Sequence, residues 1–195
     1  MPRIREPRRL FQRFARARRG ATAVEFALVS FPFLLLLFGI VELAMVFIVS
    51  TTLEAATESA SRQIRTGEFQ TSAGNTKADF KLLVCTKMSW LQASCSTDLS
   101  LDVRTFATFN DLANYPQLNP ATYNPLDPAA NCWSPGEPTD IVLVRTHYQW
   151  KLYTPLLNNA LQNMGAGSNK RMINSISAFR NEPFSSTLPV GSKCS

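Results

Sequence analysis

From Phe26 to Val49 the chain runs for 24 residues with a single charge, Glu42, and only Pro32, Gly39 and a few small residues interrupt the apolar side chains. As an α-helix this stretch is about 36 Å long, enough to cross a hydrocarbon core of roughly 30 Å with some tilt. A membrane span over 26–49 is therefore expected. Arginines precede it, followed by Gly20-Ala21-Thr22-Ala23-Val24-Glu25-Phe26. An ordinary secretory signal has its small-residue cleavage site behind the apolar region, which is lost on processing. Here a cut between Gly20 and Ala21 would retain it.

The formal charge of +6 is concentrated at the N terminus. Residues 1–20 hold eight arginines (Arg3, Arg5, Arg8, Arg9, Arg13, Arg16, Arg18 and Arg19) against one acid, Glu6, so the remainder carries −1. A body so near neutral has no general pull on phosphate backbones, and no nucleic-acid partner is expected. Beside an apolar run, the arginines read as a topology signal that keeps the leader cytoplasmic and sends residues beyond about 50 to the far side.

Four cysteines, Cys85, Cys95, Cys132 and Cys194, all follow the apolar run. An even number beyond a membrane span fits an oxidising compartment and disulfides. Three pairings are possible. Cys85 with Cys95 is favoured because it closes a short loop at a helix end, and Cys132 with Cys194 because it ties the tail to a proline-rich loop. A metal site needs close Cys or His pairs, which are missing here, so neither metal nor cofactor is expected.

Beyond the apolar run, Leu53, Ala56, Ala60 and Ile64 recur at helical spacing, with Glu54, Glu58, Arg62 and Arg65 on other faces. One helix of roughly 70 Å is expected from about Ala21 to Thr66, with Gly67 as its C-cap. Residues 69–75 read as a polar linker. Phe80, Leu83, Val84, Lys87, Met88 and Leu91 then outline a short amphipathic helix. Alternation at Leu99, Leu101 and Val103 predicts a strand, Val142 to Trp150 a second, and Met172 to Phe179 a third. Between the first two, residues 107–139 contain six of the twelve prolines and read as a long loop stapled by Cys132. Thr154-Pro155 reads as the N-cap and first position of a helix through Met164, closed by Gly165 and Gly167. The sum is α+β and pilin-like: a long N-terminal transmembrane helix whose amphipathic half packs on a small antiparallel sheet with short helices. The expected organisation is a basic cytoplasmic leader at 1–20, cleaved from the mature chain, a helix at 21–66 and an outer α+β domain at 67–195.

Glu25 stands out chemically, because a carboxylate at the start of a membrane helix is costly unless paired. Cleavage after Gly20 would create an α-amine at Ala21, and in a stack of identical helices one copy's carboxylate can meet its neighbour's amine, fixing axial register. Solvation of Glu25 at the headgroup level is the plainer alternative. Glu42 either faces another helix or lies at the outer interface. Pro32 removes a helix hydrogen bond and favours a kink, yet such prolines are also tolerated in membranes.

The segment Arg18-Arg19-Gly20-Ala21-Thr22-Ala23-Val24-Glu25-Phe26-Ala27-Leu28-Val29, followed by Pro32 and the run Leu34 to Glu42, resembles the N terminus of TadE-like proteins, pseudopilins of the tight-adherence (Flp-type) pilus system. In that family Gly20, Glu25 and Phe26 correspond to the glycine before the cut and to the fifth and sixth mature positions. Arg180-Asn181-Glu182-Pro183-Phe184 near the end is also similar, though less specifically. The resemblance implies processing by a prepilin peptidase, pilin-like partner subunits and an inner-membrane assembly platform. It implies residence in a bacterial inner membrane with the C-terminal domain periplasmic, and a minor-pilin role in an adhesive type IVb pilus. A permanently anchored assembly factor is the first alternative, and a signal-anchored periplasmic binding domain or enzyme the second.

No catalytic pattern supports an enzyme: G-x-S-x-G, P-loop, G-x-G-x-x-G and H-E-x-x-H are all missing from the sequence. His147, on the strand face opposite Val144 and Tyr148, is expected to face solvent. Trp90, Trp133, Trp150, Phe109, Tyr115 and Tyr123 form either core or a binding surface.

Overall fold

A computed structural model describes residues 20–125, 127, 131–154 and 156–185. Helix α1 spans Ala21–Arg65 and contains Pro32 without ending there. The chain divides into two compact units, Met1–Leu43 and Ala44–Ser195. In the first, the described part of α1 exposes most of its large apolar side chains, among them Phe26, Leu28, Phe31, Phe33 and Leu36.

The second unit begins with the amphipathic part of α1. Its stripe of Val49, Leu53, Ala56, Ala60 and Ile64 is buried in one continuous core with the sheet, the outcome that apolar spacing of three and four residues dictates. Two buried hydroxyls meet within this interface, Thr57 Oγ1 and Thr146 Oγ1, 2.7 Å apart. The helix stops where Gly67 turns into the left-handed region at φ 77°. Here glycine is required, since a side chain would face both backbone strain and a neighbouring ring.

The expected linker at 69–75 is partly structured. Helix α2 (Glu68–Thr71) makes one turn that buries Phe69 and Gln70, and Phe69 meets Phe80 and Trp133 edge to face at 5.4 and 5.8 Å. Helix α3 (Lys77–Lys87) opens on a capping box, with Thr76 and Asp79 satisfying each other's backbone donors. A 3-10 turn at Ser89–Leu91 leads into α4 (Gln92–Asp98). A disulfide between Cys85 and Cys95 joins these two helices across a Cα separation of 5.5 Å. Cys132 is also disulfide-bonded, while Cys194 lies outside the described residues.

Strands β1 (Leu99–Phe106), β2 (Ile141–Lys151) and β3 (Lys170–Arg180) form one antiparallel sheet in the order β1-β2-β3. The register pairs Val103 with Val144 and Val144 with Ser177. Period-2 alternation therefore turns Leu101, Val103, Val142, Val144 and Tyr148 toward α1 and directs Asp102, Arg104, Arg145 and His147 the other way.

That second face is covered by the proline-rich connection. Within it, α5 (Phe109–Ala113) is capped by Thr108 and Asp111, and Trp133 makes a parallel bridge to Val103 at the β1 edge. The helix anticipated after Thr154 is shorter than its sequence pattern: α6 is one turn, Asn158–Leu161. Leu156 adopts φ 70° and is 71 % exposed rather than buried. A left-handed residue so close to the first turn prevents the helix from starting at Thr154.

Candidate functional site

The start of α1 holds the residues singled out from the sequence. Gly20 directly precedes the helix, and no heavy atom lies within 4 Å of where its Cβ would be. Ala21 is the first helical residue. Glu25 and Phe26 lie on the first turns and are exposed, so both are open to a neighbouring chain. Glu42, by contrast, is only 5 % exposed. Ser30, two residues before the proline whose ring denies the helix a donor, bonds back to the Ala27 carbonyl at 3.3 Å. The helix has a mean hydropathy of 2.7 over its most apolar 18-residue window, long and apolar enough to cross a membrane.

The outer sheet face holds a buried ionic cluster that strand alternation alone could not reveal. Asp102 is fully buried. It accepts from Arg104 Nε at 2.8 Å, from Arg145 Nε at 3.1 Å and from the Cys132 amide at 3.0 Å. Both guanidinium groups stack on the Tyr115 ring, at 5.0 and 4.5 Å, and Arg145 also donates to the Pro116 carbonyl at 3.2 Å. One carboxylate is thus shared by two arginines, and the loop's aromatic ring supplies the remaining contact surface.

His147 does not face solvent. It is 1 % exposed, with Nδ1 3.0 Å from Asn174 Oδ1 and its ring 5.2 Å from that of Tyr123. Burial pushes its pKa below the ordinary value, against the opposing pull of the Asn174 bond. Its ring is packed between Asn174 and Tyr123 in the interior of the covered sheet face. Lys77, whose Nζ donates to the Asn131 carbonyl, is likewise lowered by burial. Among the described residues no group of His, Cys, Asp and Glu could hold a metal ion.

The aromatic residues divide between the two roles left open from the sequence. Trp133 belongs to the interior cluster of Phe69 and Phe80, and Tyr115 and Tyr123 cap the polar sheet face. Trp90 is half-exposed and packs edge to face on Trp150, which in turn meets Tyr153.

The segment 180–184 supplies contacts that no spacing rule points to. Arg65 and Glu182 form an ion pair at 3.2 Å, and the Glu182 amide donates to the Arg65 carbonyl at 2.8 Å. Buried Asn181 donates to the carbonyls of Pro135 and Glu137 at 3.1 and 3.0 Å. The chain after β3 is thereby fastened both to the end of α1 and to the β2 entrance.

These features define a class of protein, an α+β domain built around the latter half of one long, apolar-headed helix. Within that class, residues 20–62, a segment that includes Gly20, Glu25 and Phe26, match the family model described as TadE-like protein. The match ends before residues 180–184. Neither a curated protein nor a solved structure matches the chain.

Proposed function

We propose that the chain is a TadE-like minor pilin, a structural subunit used in building a tight-adherence type IVb pilus. In this reading residues 26–49 of α1 anchor it in a bacterial inner membrane, the basic leader stays cytoplasmic and the domain after residue 66 is periplasmic. A prepilin peptidase cuts between Gly20 and Ala21, and the mature helix then packs against other pilin-like subunits at the assembly platform. The observation that carries the reading is a coincidence. The TadE-like match covers the same stretch as the one long apolar helix among the described residues, with Glu25 exposed at its start.

The chemistry follows from that placement. A carboxylate in the first turns of a membrane helix is stabilised by an opposite charge, and a neighbouring subunit's new α-amine at Ala21 provides one. Pro32 leaves one carbonyl without its helical donor, so the first turns can bend while neighbouring subunits pack. The buried ionic cluster and the disulfide keep the outer domain rigid during that packing.

The deciding test is the intact mass of the membrane-extracted chain from cells with and without the prepilin peptidase. A mature chain beginning at Ala21 only when the peptidase is present is the expected result. A chain still beginning at Met1 in both would overturn the reading.

A further inference from the structure

The exposed apolar side chains of the second unit are not spread evenly. Eight large ones are exposed among its described residues, and five of them, Phe47, Ile48, Trp90, Tyr153 and Leu156, gather at one end. That they share an end follows from the packing of α1 on the sheet. Thr57 is level with Thr146, and Arg65 with Glu182 just beyond β3, so β2 runs antiparallel to α1. From Thr146 to Trp150 is about 13 Å along the strand, and from Thr57 back to Ile48 is about 13 Å along the helix. Trp150 is therefore level with Ile48. Trp90 lies against Trp150 with ring centroids 6.4 Å apart, and Tyr153 meets the same Trp150 ring at 6.0 Å.

The stretch of chain that forms much of this end carries charge of one sign. Between Gln149 and Asn174 the chain contains no acid and three cations, Lys151, Lys170 and Arg171. Strand pairing sets Lys151 beside Lys170 and Trp150 beside Arg171. The Lys151 ammonium lies 6.0 Å from the Tyr153 ring centroid. Strand pairing also brings an acid near this stretch, Asp98 at the end of α4, one residue before the Leu99 that pairs with Tyr148. Amphipathic aromatic rings beside long basic side chains are the composition that partitions to the headgroup layer of a bilayer, with the ring body among the upper acyl chains and the polar tip in water. Cations there meet lipid phosphates.

We infer that the end of the domain bearing Trp90, Trp150, Tyr153 and Lys151 is a second membrane contact, a collar that seats the folded domain on the phospholipid headgroup layer around α1. The inference rests on the membrane-anchored reading and adds to it, since a single helix passing through a bilayer leaves its domain free to swing whereas a collar fixes its tilt and height. A domain held in this way presents every subunit to the assembly machinery in the same orientation.

Three tryptophans make this testable in the full-length chain. The chain is reconstituted in phosphatidylethanolamine–phosphatidylglycerol vesicles whose acyl chains are brominated near the headgroup, and flotation reports whether it is inserted. In the Trp133→Phe/Trp150→Phe variant only Trp90 emits, and bromolipid is expected to quench it by about half or more, as for an interfacial indole. In the Trp90→Phe/Trp150→Phe variant only the interior Trp133 emits, and it is expected to stay unquenched. Replacing Lys151 and Tyr153 by serine is expected to lower Trp90 quenching by about half. An intact Cys85–Cys95 bond and an unchanged near-ultraviolet circular dichroism band show in each variant that the domain is folded. A floating chain with unquenched Trp90 overturns the collar and leaves the anchor standing. Blue-shifted Trp90 emission without quenching also overturns it, in favour of cover by a second copy. A chain that does not float overturns the anchor and the collar together.

Discussion

The ring of Phe184 occupies the space in which a side chain on Gly67 would lie: a Cβ built there is 2.2 Å from Phe184 Cγ. The residue that ends the long helix and the residue that closes the fold are thus complementary in shape. Gly67→Ala is expected to destabilise the outer domain by about 2–4 kcal/mol, combining left-handed strain with overpacking. In a Phe184→Ala background the same change is expected to cost about half as much, because the ring overlap is gone while the strain and the close approach to the residue-184 Cβ remain. Denaturant unfolding of the four chains measures both values.

Asp102 accepts from both Arg104 and Arg145, so Asp102→Asn removes the buried carboxylate that the two guanidinium groups share. A loss of about 3–5 kcal/mol is expected. Limited proteolysis of the proline-rich connection offers an independent readout, with cleavage near Tyr115 and Pro116 speeding up as that loop is released.

His147 predicts a pH dependence with a definite sign. Its pKa is depressed in the folded state, so the unfolded chain takes up the proton first as pH falls below the ordinary value of 6.5. Stability is therefore constant well above 6.5 and is expected to decline as acid approaches the folded value. Melting temperature measured between roughly pH 7.5 and 5 is expected to fall for the parent chain and to flatten for His147→Gln.

Breaking the Cys85–Cys95 bond removes a constraint on a loop of ten residues, and Cys85→Ala/Cys95→Ala is expected to lower stability by about 2–3 kcal/mol. A non-reducing peptide map checks the complementary expectation that Cys132 and Cys194 are paired. Free thiol on Cys194 would contradict it.

Glu25→Ala tests the register idea. The variant is expected to insert normally and to be processed at Gly20, because the apolar run and the glycine are intact, while sheared pili fall by roughly tenfold or more through loss of a paired charge at each subunit contact. Normal piliation would remove Glu25 from the assembly mechanism.

The long helix and the three strands were legible because their periodicities are set by one buried face each: Leu53 to Ile64 at three and four, Val142 to Trp150 at two. The burial of Phe69, the one-turn α6 and the inward placement of His147 were not. Each depends on a segment of irregular course. The loop carrying Tyr115 and Tyr123 turns a strand face that reads as polar into an interior, and a ring such as Trp133 makes room for Phe69 only once that loop is in place. Asp102 and Arg145 lie 43 residues apart, and only the β1–β2 register brings them together. The contacts of Glu182 and Phe184 with the end of α1 are equally remote from any local pattern.

The pairs Thr57–Thr146, Glu58–Ser177 and Arg65–Glu182 occur at successive heights along one side of α1, each joining the helix to the sheet or to the segment that follows β3. A force applied along the helix axis therefore loads them side by side, in shear, instead of peeling them one after another. A pull on the helix, of the kind the proposed role in a pilus would impose, is therefore borne along the whole seam at once.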